Sequence, residues 1–362
     1  MAVGADRRGD AAAPPLRRAA DGVTGPVRAE DAFDVDAVTA WLGLETTPEV
    51  RQFSGGASNL TYLLRTGERD LILRRPPTGR KAATAHDMSR EYRIQSALAP
   101  VFPYVPRMVA LCEDESVIGS PFYVMERVEG HIPRRELGVD LPPDRVRTLC
   151  TGVVDLLVDL HGIDPAAAGL DNLGKGTGYV ARQVAGWSDR YRSARTRNVG
   201  SFAGVIRWLE ANQPAEQRIC LIHNDFRFDN VVFAPDDPTR PVALLDWEMA
   251  TLGDPLMDLG SALAYWVQAD DGWLFRMFRR QPTHTPGMLT RREVIEHYHA
   301  RTGLRMTAFH EVFGLFRLAG IVQQIYYRYY HRQTRNPAFR NFWIASLMLE
   351  RRCLRIIRAG KD

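Results

Sequence analysis

Between Cys220 and Asp246 short apolar runs bracket a dense polar cluster, and this arrangement restricts the chain more than any other feature. Cys220-Leu221-Ile222 and Val231-Val232-Phe233 flank His223 to Asn230, so the polar residues read as a loop held between two short strands. A further apolar run, Leu244-Leu245, delivers Asp246 at its end, sixteen residues after Asn230. Two carboxylates and one amide are thereby tied to neighbouring strand ends, where a sheet can bring them to one place.

The 362 residues are enough for two lobes with a substantial core. Residues 1–30 are rich in Ala, Arg, Asp, Gly and Pro, cannot bury enough apolar surface to offset chain entropy, and are expected to be a disordered tail. Order is expected from near Phe33, with Asp34 capping a short helix. Strands are predicted over Val50–Phe53, Leu60–Leu64 and Leu71–Leu73, separated by turn signals at Ser54-Gly55-Gly56 and Thr66-Gly67. A helix around Glu91 follows, then strands at Met108–Cys112 and Phe122–Val128. From Pro142 the pattern is helical: Leu149, Val153, Leu156, Leu157 and Leu160 form one apolar stripe. Thr290 to Glu293 has the form of a capping box, Gly303 that of a helix stop, and the last helices hold Phe313–Tyr330 and Phe342–Ile357. The expected fold is α+β and two-lobed. A small β-rich N-terminal lobe spans residues 31–128, and a larger, mainly helical C-terminal lobe spans residues 129–362.

Several classes are disfavoured. No apolar run approaches the roughly 18 residues of a membrane span, and the N-terminus lacks the apolar core of a secretory signal. Cys112, Cys150, Cys220 and Cys353 lie far apart without a C-x-x-C pair, which fits buried thiols in a reducing, cytoplasmic setting. Gly169 to Gly176 nearly fits a phosphate-binding P-loop, but its last position lacks the hydroxyl and no apolar strand precedes it. The run Tyr326-Tyr327-Arg328-Tyr329-Tyr330 reads as helical packing with a basic outer face rather than a nucleic-acid platform.

His223-x-Asp225-x-x-x-x-Asn230 has the spacing of a kinase catalytic loop, and Asp246 follows where a second carboxylate holds magnesium. These residues resemble the aminoglycoside phosphotransferase-like family over about residues 45 to 350. The resemblance implies a protein-kinase-like fold using ATP and Mg2+. Asp225 would orient or accept the proton of the acceptor hydroxyl, with Arg227 facing the transferred phosphate as a second catalytic residue. Asn230 and Asp246 would hold magnesium, with Glu248 a weaker contact. Ser54, Gly55, Gly56, Ser58 and Asn59 match the nucleotide-covering loop, for which a plain hairpin turn is the rival reading. Arg74 occupies the place of the phosphate-binding strand lysine and Glu91 that of its partner, for which a surface ion pair is the rival. Glu126 and Val128 fall in the connector that meets adenine. His223 is expected to tie the loop to the metal strand, and Asp258 to hold backbone amides of the loop.

Arg74 departs from the usual lysine, although arginine still binds phosphate bidentately. Asn224 stands where Gly is frequent. The phrases Glu126 to Gly130 and Trp247 to Pro255 resemble the kinase module associated with acyl-CoA dehydrogenase fusion proteins. That implies a small hydroxylated acceptor of hydroxyacyl-CoA type and a functional link to such a dehydrogenase. A protein acceptor is disfavoured, because helix-forming sequence resumes soon after Asp246 without an activation segment. From Leu263 to Asp362, 17 Arg and Lys stand against 7 Asp and Glu; the balance of +10 leaves −6 elsewhere in a chain of net charge +4. Because the family's C-terminal helices wall the acceptor site, this favours an anionic or apolar, acyl-type acceptor over a cationic aminoglycoside. The alternatives are a catalytically silent nucleotide-binding regulatory module and an aminoglycoside or macrolide kinase. The oligomeric expectation is a monomer or homodimer.

Overall fold

The computed structural model describes residues 24–54, 59–67, 69–77 and 87–360. Its N-terminal part is one six-stranded antiparallel sheet, ordered β1-β2-β3-β4-β6-β5. The strands are β1 (Thr24–Gly25), β2 (Glu49–Phe53), β3 (Leu60–Arg65), β4 (Asp70–Arg75), β5 (Met108–Cys112) and β6 (Phe122–Glu126). Helix α1 (Val35–Leu42) starts on Asp34, whose carboxylate accepts from Ala37 N, and α2 (Met88–Leu98) starts in the same way on Asp87.

The pleat sorts side chains onto two faces. Leu64, Leu71, Leu73 and Val124 pack with Val38 of α1, whereas Leu63, Ile72, Tyr123 and Met125 pack with Met88 of α2. Arg74 lies two residues past Ile72 and so shares the α2 face, where its charge can meet Glu91.

Order begins earlier than the composition predicts. Thr24 and Gly25 pair with Phe53 and Gln52, and Asp31 is buried, accepting from Gln52 Nε2 at 2.9 Å. Specific hydrogen bonding, rather than apolar burial, places this segment. Strand β6 ends at Glu126, two residues short of the predicted end, and the chain crosses to the second lobe from there.

The C-terminal part is mainly helical: α3 (Pro143–Gly162), α4 (Tyr179–Ala194), α5 (Ala203–Ala211), α6 (Pro255–Ala264), α7 (Trp273–Met277), α8 (Arg291–Thr302), α9 (Ala308–Tyr330) and α10 (Phe342–Ala359). The capping box at Thr290 and the left-handed Gly303 bound α8 as the sequence predicts. Two antiparallel strand pairs lie among the helices: β7 (Cys220–Ile222) with β10 (Thr251–Gly253), and β8 (Val231–Phe233) with β9 (Pro241–Leu244). Among the described residues, no helix is long and apolar enough to cross a membrane.

Helix α6 carries the buried residues behind the loop between β7 and β8, and its seat depends on a close crossing with α9. A Cβ on Gly314 would stand 2.0 Å from the Gly260 carbonyl oxygen, and one on Gly260 would stand 2.4 Å from the His310 carbonyl oxygen. The backbones meet there because neither residue has a side chain. Gly314→Ala should therefore destabilise the fold by about 1–3 kcal/mol through overpacking, read as a lower midpoint in urea unfolding. An unchanged midpoint would show that the helices separate without cost.

Candidate active site

The loop between β7 and β8 takes its shape from one buried carboxylate. Asp258, in the first turns of α6, has no solvent exposure and accepts from the backbone N–H groups of His223 and Asn224, each at 2.9 Å. His161 Nε2 donates to the same carboxylate at 3.2 Å. Burial opposes the Asp258 charge, yet the bonds from His161 and the loop outweigh it and hold the carboxyl below the ordinary aspartate range. His223 donates from Nε2 to the Leu245 carbonyl at 3.0 Å and accepts the Asp225 N–H at Nδ1 at 3.3 Å. One neutral tautomer satisfies both bonds and ties the loop to the strand that delivers Asp246.

Asn224 has φ +65°, which explains why glycine suits this position and why asparagine tolerates it. Its side chain is bonded at both ends, accepting from Tyr179 Oη at 3.0 Å and donating to the Met249 carbonyl at 3.1 Å. Its carbonyl accepts from Arg317 Nη2 at 2.7 Å.

Asp225, Arg227, Asn230, Asp246, Glu248, Arg74, Glu126 and Val128 line one cleft of about 420 Å³. Its deep wall is apolar, with Phe53, Ile72, Met125, Ile132, Val232 and Leu245. Asn230 is buried and donates from Nδ2 to the Asp225 carbonyl at 2.8 Å and to Asp225 Oδ2 at 3.3 Å. Its amide oxygen accepts nothing in these bonds. Arg227 lies 3.4 Å from Asp225 Oδ2 and 3.1 Å from Asp229 Oδ1, with its guanidinium over the Tyr265 ring. Burial opposes the Arg227 charge, but Asp225 and Asp229 raise its pKa above the ordinary value.

Arg74 bridges the two lobes. Nη1 meets Glu91 Oε1 at 2.6 Å, and Nη2 meets Asp246 Oδ1 at 3.1 Å. Glu91 is 1% exposed, so the pairing is buried rather than a surface ion pair. Burial opposes the Arg74 charge, and the neighbouring carboxylates hold its pKa well above the ordinary value. Asp246 itself sits at φ +70°, ψ +63°, an uncommon conformation for a non-glycine residue. Asn59 Nδ2 donates to Glu248 Oε2 at 3.2 Å, and Arg90 donates to the carbonyls of Glu248 and Ala250. Glu126 ends β6 and pairs with Arg69 and Arg107. Ser54 directly follows β2, whereas Gly55, Gly56 and Ser58 lie outside the described residues.

Asn230 and Asp246 offer one amide oxygen and one carboxylate, hard donors that suit magnesium. Among the described residues no group of three or more His, Cys, Asp and Glu side chains converges as a metal cage. Magnesium is commonly bound through one or two carboxylates together with substrate phosphates, so this sparse donor set fits it.

The motif reading did not identify Arg317, Tyr179, Tyr265, Asp229 or Arg134, the last two of which also line the cleft. Arg317 carried a signal, since it interrupts the apolar run Phe313 to Ala319 and is buried at 6% exposure. Asp229 is adjacent to Asn230 within the loop. The two tyrosines carry no local signal.

Asp258→Asn should cost on the order of 3 kcal/mol near neutral pH, because the loop amides and His161 lose a charged acceptor. The folded pKa of Asp258 is depressed, so the wild-type advantage is full above the unfolded value of about 3.9. It should shrink as pH falls through the lower folded value. Unfolding free energies of both proteins across that range test this; a pH-independent gap would refute it.

Residues 49–310 match the phosphotransferase enzyme family, which is more than half of the chain. Acyl-CoA dehydrogenase family member 10 of Mus musculus is 38% identical over 315 residues, covering 84% of this chain and 29% of that protein. Acyl-CoA dehydrogenase family member 11 of Homo sapiens is 33% identical over 292 residues, covering 79% of this chain and 37% of that protein. The chain thus spans about a third of the length of these curated relatives. A Ralstonia eutropha protein assigned to the aminoglycoside phosphotransferases superposes with a TM-score of 0.78 at 29% identity, covering 91% of this chain and 99% of that one. The GDP complex of an aminoglycoside 2'-phosphotransferase variant shares the fold alone, with a TM-score of 0.61 at 15% identity over 90% of this chain and 98% of that one. The two-lobed architecture is therefore kinase-like, and the chain belongs to the phosphotransferase enzyme family.

Proposed function

We propose that this protein transfers the γ-phosphoryl group of Mg2+-bound ATP to the hydroxyl of a small anionic acceptor, of hydroxyacyl-CoA type. The observation that carries the reading is the single cleft lined by Asp225, Asn230, Asp246 and Arg74 beneath an apolar wall. The apolar wall suits a base, and Arg74 suits the phosphates. Asn230 and Asp246 would hold magnesium, which supplies charge neutralisation on the transferring phosphoryl group.

The contacts from Asn230 and Arg227 both fall on Asp225 Oδ2. Oδ1 is left to meet the acceptor hydroxyl, orient its lone pair in line and take its proton. A bond forms between the acceptor oxygen and the γ-phosphorus, the bridging bond to the β-phosphate breaks, and ADP leaves. Arg227, held between two carboxylates, is placed to steady negative charge on the transferred group. Positioning and charge compensation supply most of the acceleration in such transfers.

The acceptor class has two supports. The two curated relatives compared above are acyl-CoA dehydrogenase family members, and the last hundred residues carry the strong basic balance. A functional link to such a dehydrogenase, a cytoplasmic setting and action as a monomer or homodimer belong to the same reading.

Asp225→Asn should lower turnover by roughly 10²–10⁴-fold while nucleotide binding persists. Asp246→Asn should abolish the magnesium dependence of that binding. Calorimetric titration of ATP with and without Mg2+, beside an ATP-consumption assay on 3- and 4-hydroxyacyl-CoA esters, aminoglycosides and macrolides, reads both. Unchanged turnover in Asp225→Asn sinks the proposal. Tight binding without turnover on any acceptor assigns the chain to silent regulation instead.

A further inference from the structure

A second cavity, of about 970 Å³, lies outside the catalytic cleft, between the loop after α6, the start of α8 and the outer face of α10. Five arginines line it: Arg291, Arg292, Arg351, Arg352 and Arg355. Three are matched by acids. Arg291 and Arg352 share Asp271 at 2.6 and 3.3 Å, and Arg292 lies 3.6 Å from Glu296. Among the described residues no carboxylate pairs with Arg351 or Arg355. These two stand one helical turn apart on α10, so both guanidinium groups project from one face toward the same ligand.

Asp270 and Glu311 also line the cavity, Glu311 acting on Arg352 and Arg291 rather than on Arg351 or Arg355, and the remaining wall is mainly apolar and aromatic. Trp273 is 64% exposed, and Arg352 covers the Phe275 ring at 4.9 Å. An exposed indole beside unpaired guanidinium groups suits a ligand with phosphate at one end and a planar ring at the other. The shared anchor Asp271 fixes Arg291 and Arg352 in place, which makes this wall rigid before any ligand arrives. We propose that this cavity is a second binding site for an organic phosphate bearing a planar ring, of the adenosine-phosphate class.

Such a ligand has two sources. One is a free nucleotide acting as effector. The other is the phosphorylated tail of the acceptor, an assignment that rests on the function proposed above. Tyr265 packs on Arg227, and Asp271 at the cavity follows Tyr265 by six residues, a stretch of chain that extends to at most about 22 Å. A long acceptor can span that distance.

The probe is adenosine 3',5'-bisphosphate, titrated with the catalytic cleft saturated by magnesium and a non-hydrolysable ATP analogue. Calorimetry reads the binding, and quenching of indole fluorescence that disappears in Trp273→Phe locates it. Saturable binding in the wild type, weakened at least tenfold in R351E/R355E with the ATP affinity unchanged, is the expected result. No saturable binding, or equal affinity in the double variant, overturns the site. Competition with the acceptor, and a raised acceptor KM in R351E/R355E at unchanged kcat, assigns the acceptor's tail. A change in kcat on adding the bisphosphate, without such competition, assigns a free effector. If no acceptor is turned over at all, the function proposed above fails while the binding result still decides the cavity.

Discussion

The buried carboxylate of Asp258 is the contact on which the rest of the site depends. A loop with Asn224 in the left-handed region and Asp225 facing a cleft would leave backbone amides unpaired in a dry environment. Asp258 takes two of them, and His161 and Tyr298 extend the network into α3 and α8. The loop is thus referenced to α6, and α6 to α9 through the glycine crossing. Rigid elements, rather than the loop itself, set where Asp225 points.

The second constraint is electrostatic and joins the lobes. Arg74 is a long cation in a nearly closed space, and its two partners come from different lobes. A guanidinium can serve both at once because its donors form a planar fork, which a single ammonium does not match. Asp246 answers from a strained backbone conformation stabilised by its surroundings, with Trp247 buried behind it and donating to the Leu244 carbonyl at 2.8 Å. Arginine at position 74 therefore fits a geometry in which one side chain spans the interlobe gap.

Much of the fold was legible before any coordinates. The short apolar run Leu71 to Leu73 beyond the Thr66-Gly67 turn signal predicted a strand, and in the structure the pleat puts Arg74 on the face opposite Leu73. The capping residues Asp34 and Thr290 and the stop at Gly303 act within a few residues of themselves, so local sequence carries them. The early start of order at Thr24 was not legible, because it rests on Phe53 and Gln52 across the sheet. The partner of Arg317 and Tyr179 was illegible for the same reason: each meets Asn224 from a distant helix, so the arginine stands out in its apolar run without naming what it binds, and the tyrosine looks like core.

By itself the sequence determined the chemistry that is present. It placed a carboxylate and an amide in one loop, a second carboxylate at a strand end, and an arginine on a strand before the helix that carries Glu91. These assignments depend on residue type and short spacing, which local backbone geometry translates directly. Only the tertiary structure decided that Asp225, Asn230, Asp246 and Arg74 share one cleft, and that five arginines surround a second cavity. Such convergence is set by how helices cross and lobes dock, through contacts between residues more than a hundred positions apart, such as Arg74 with Asp246. No short window of sequence encodes that distance.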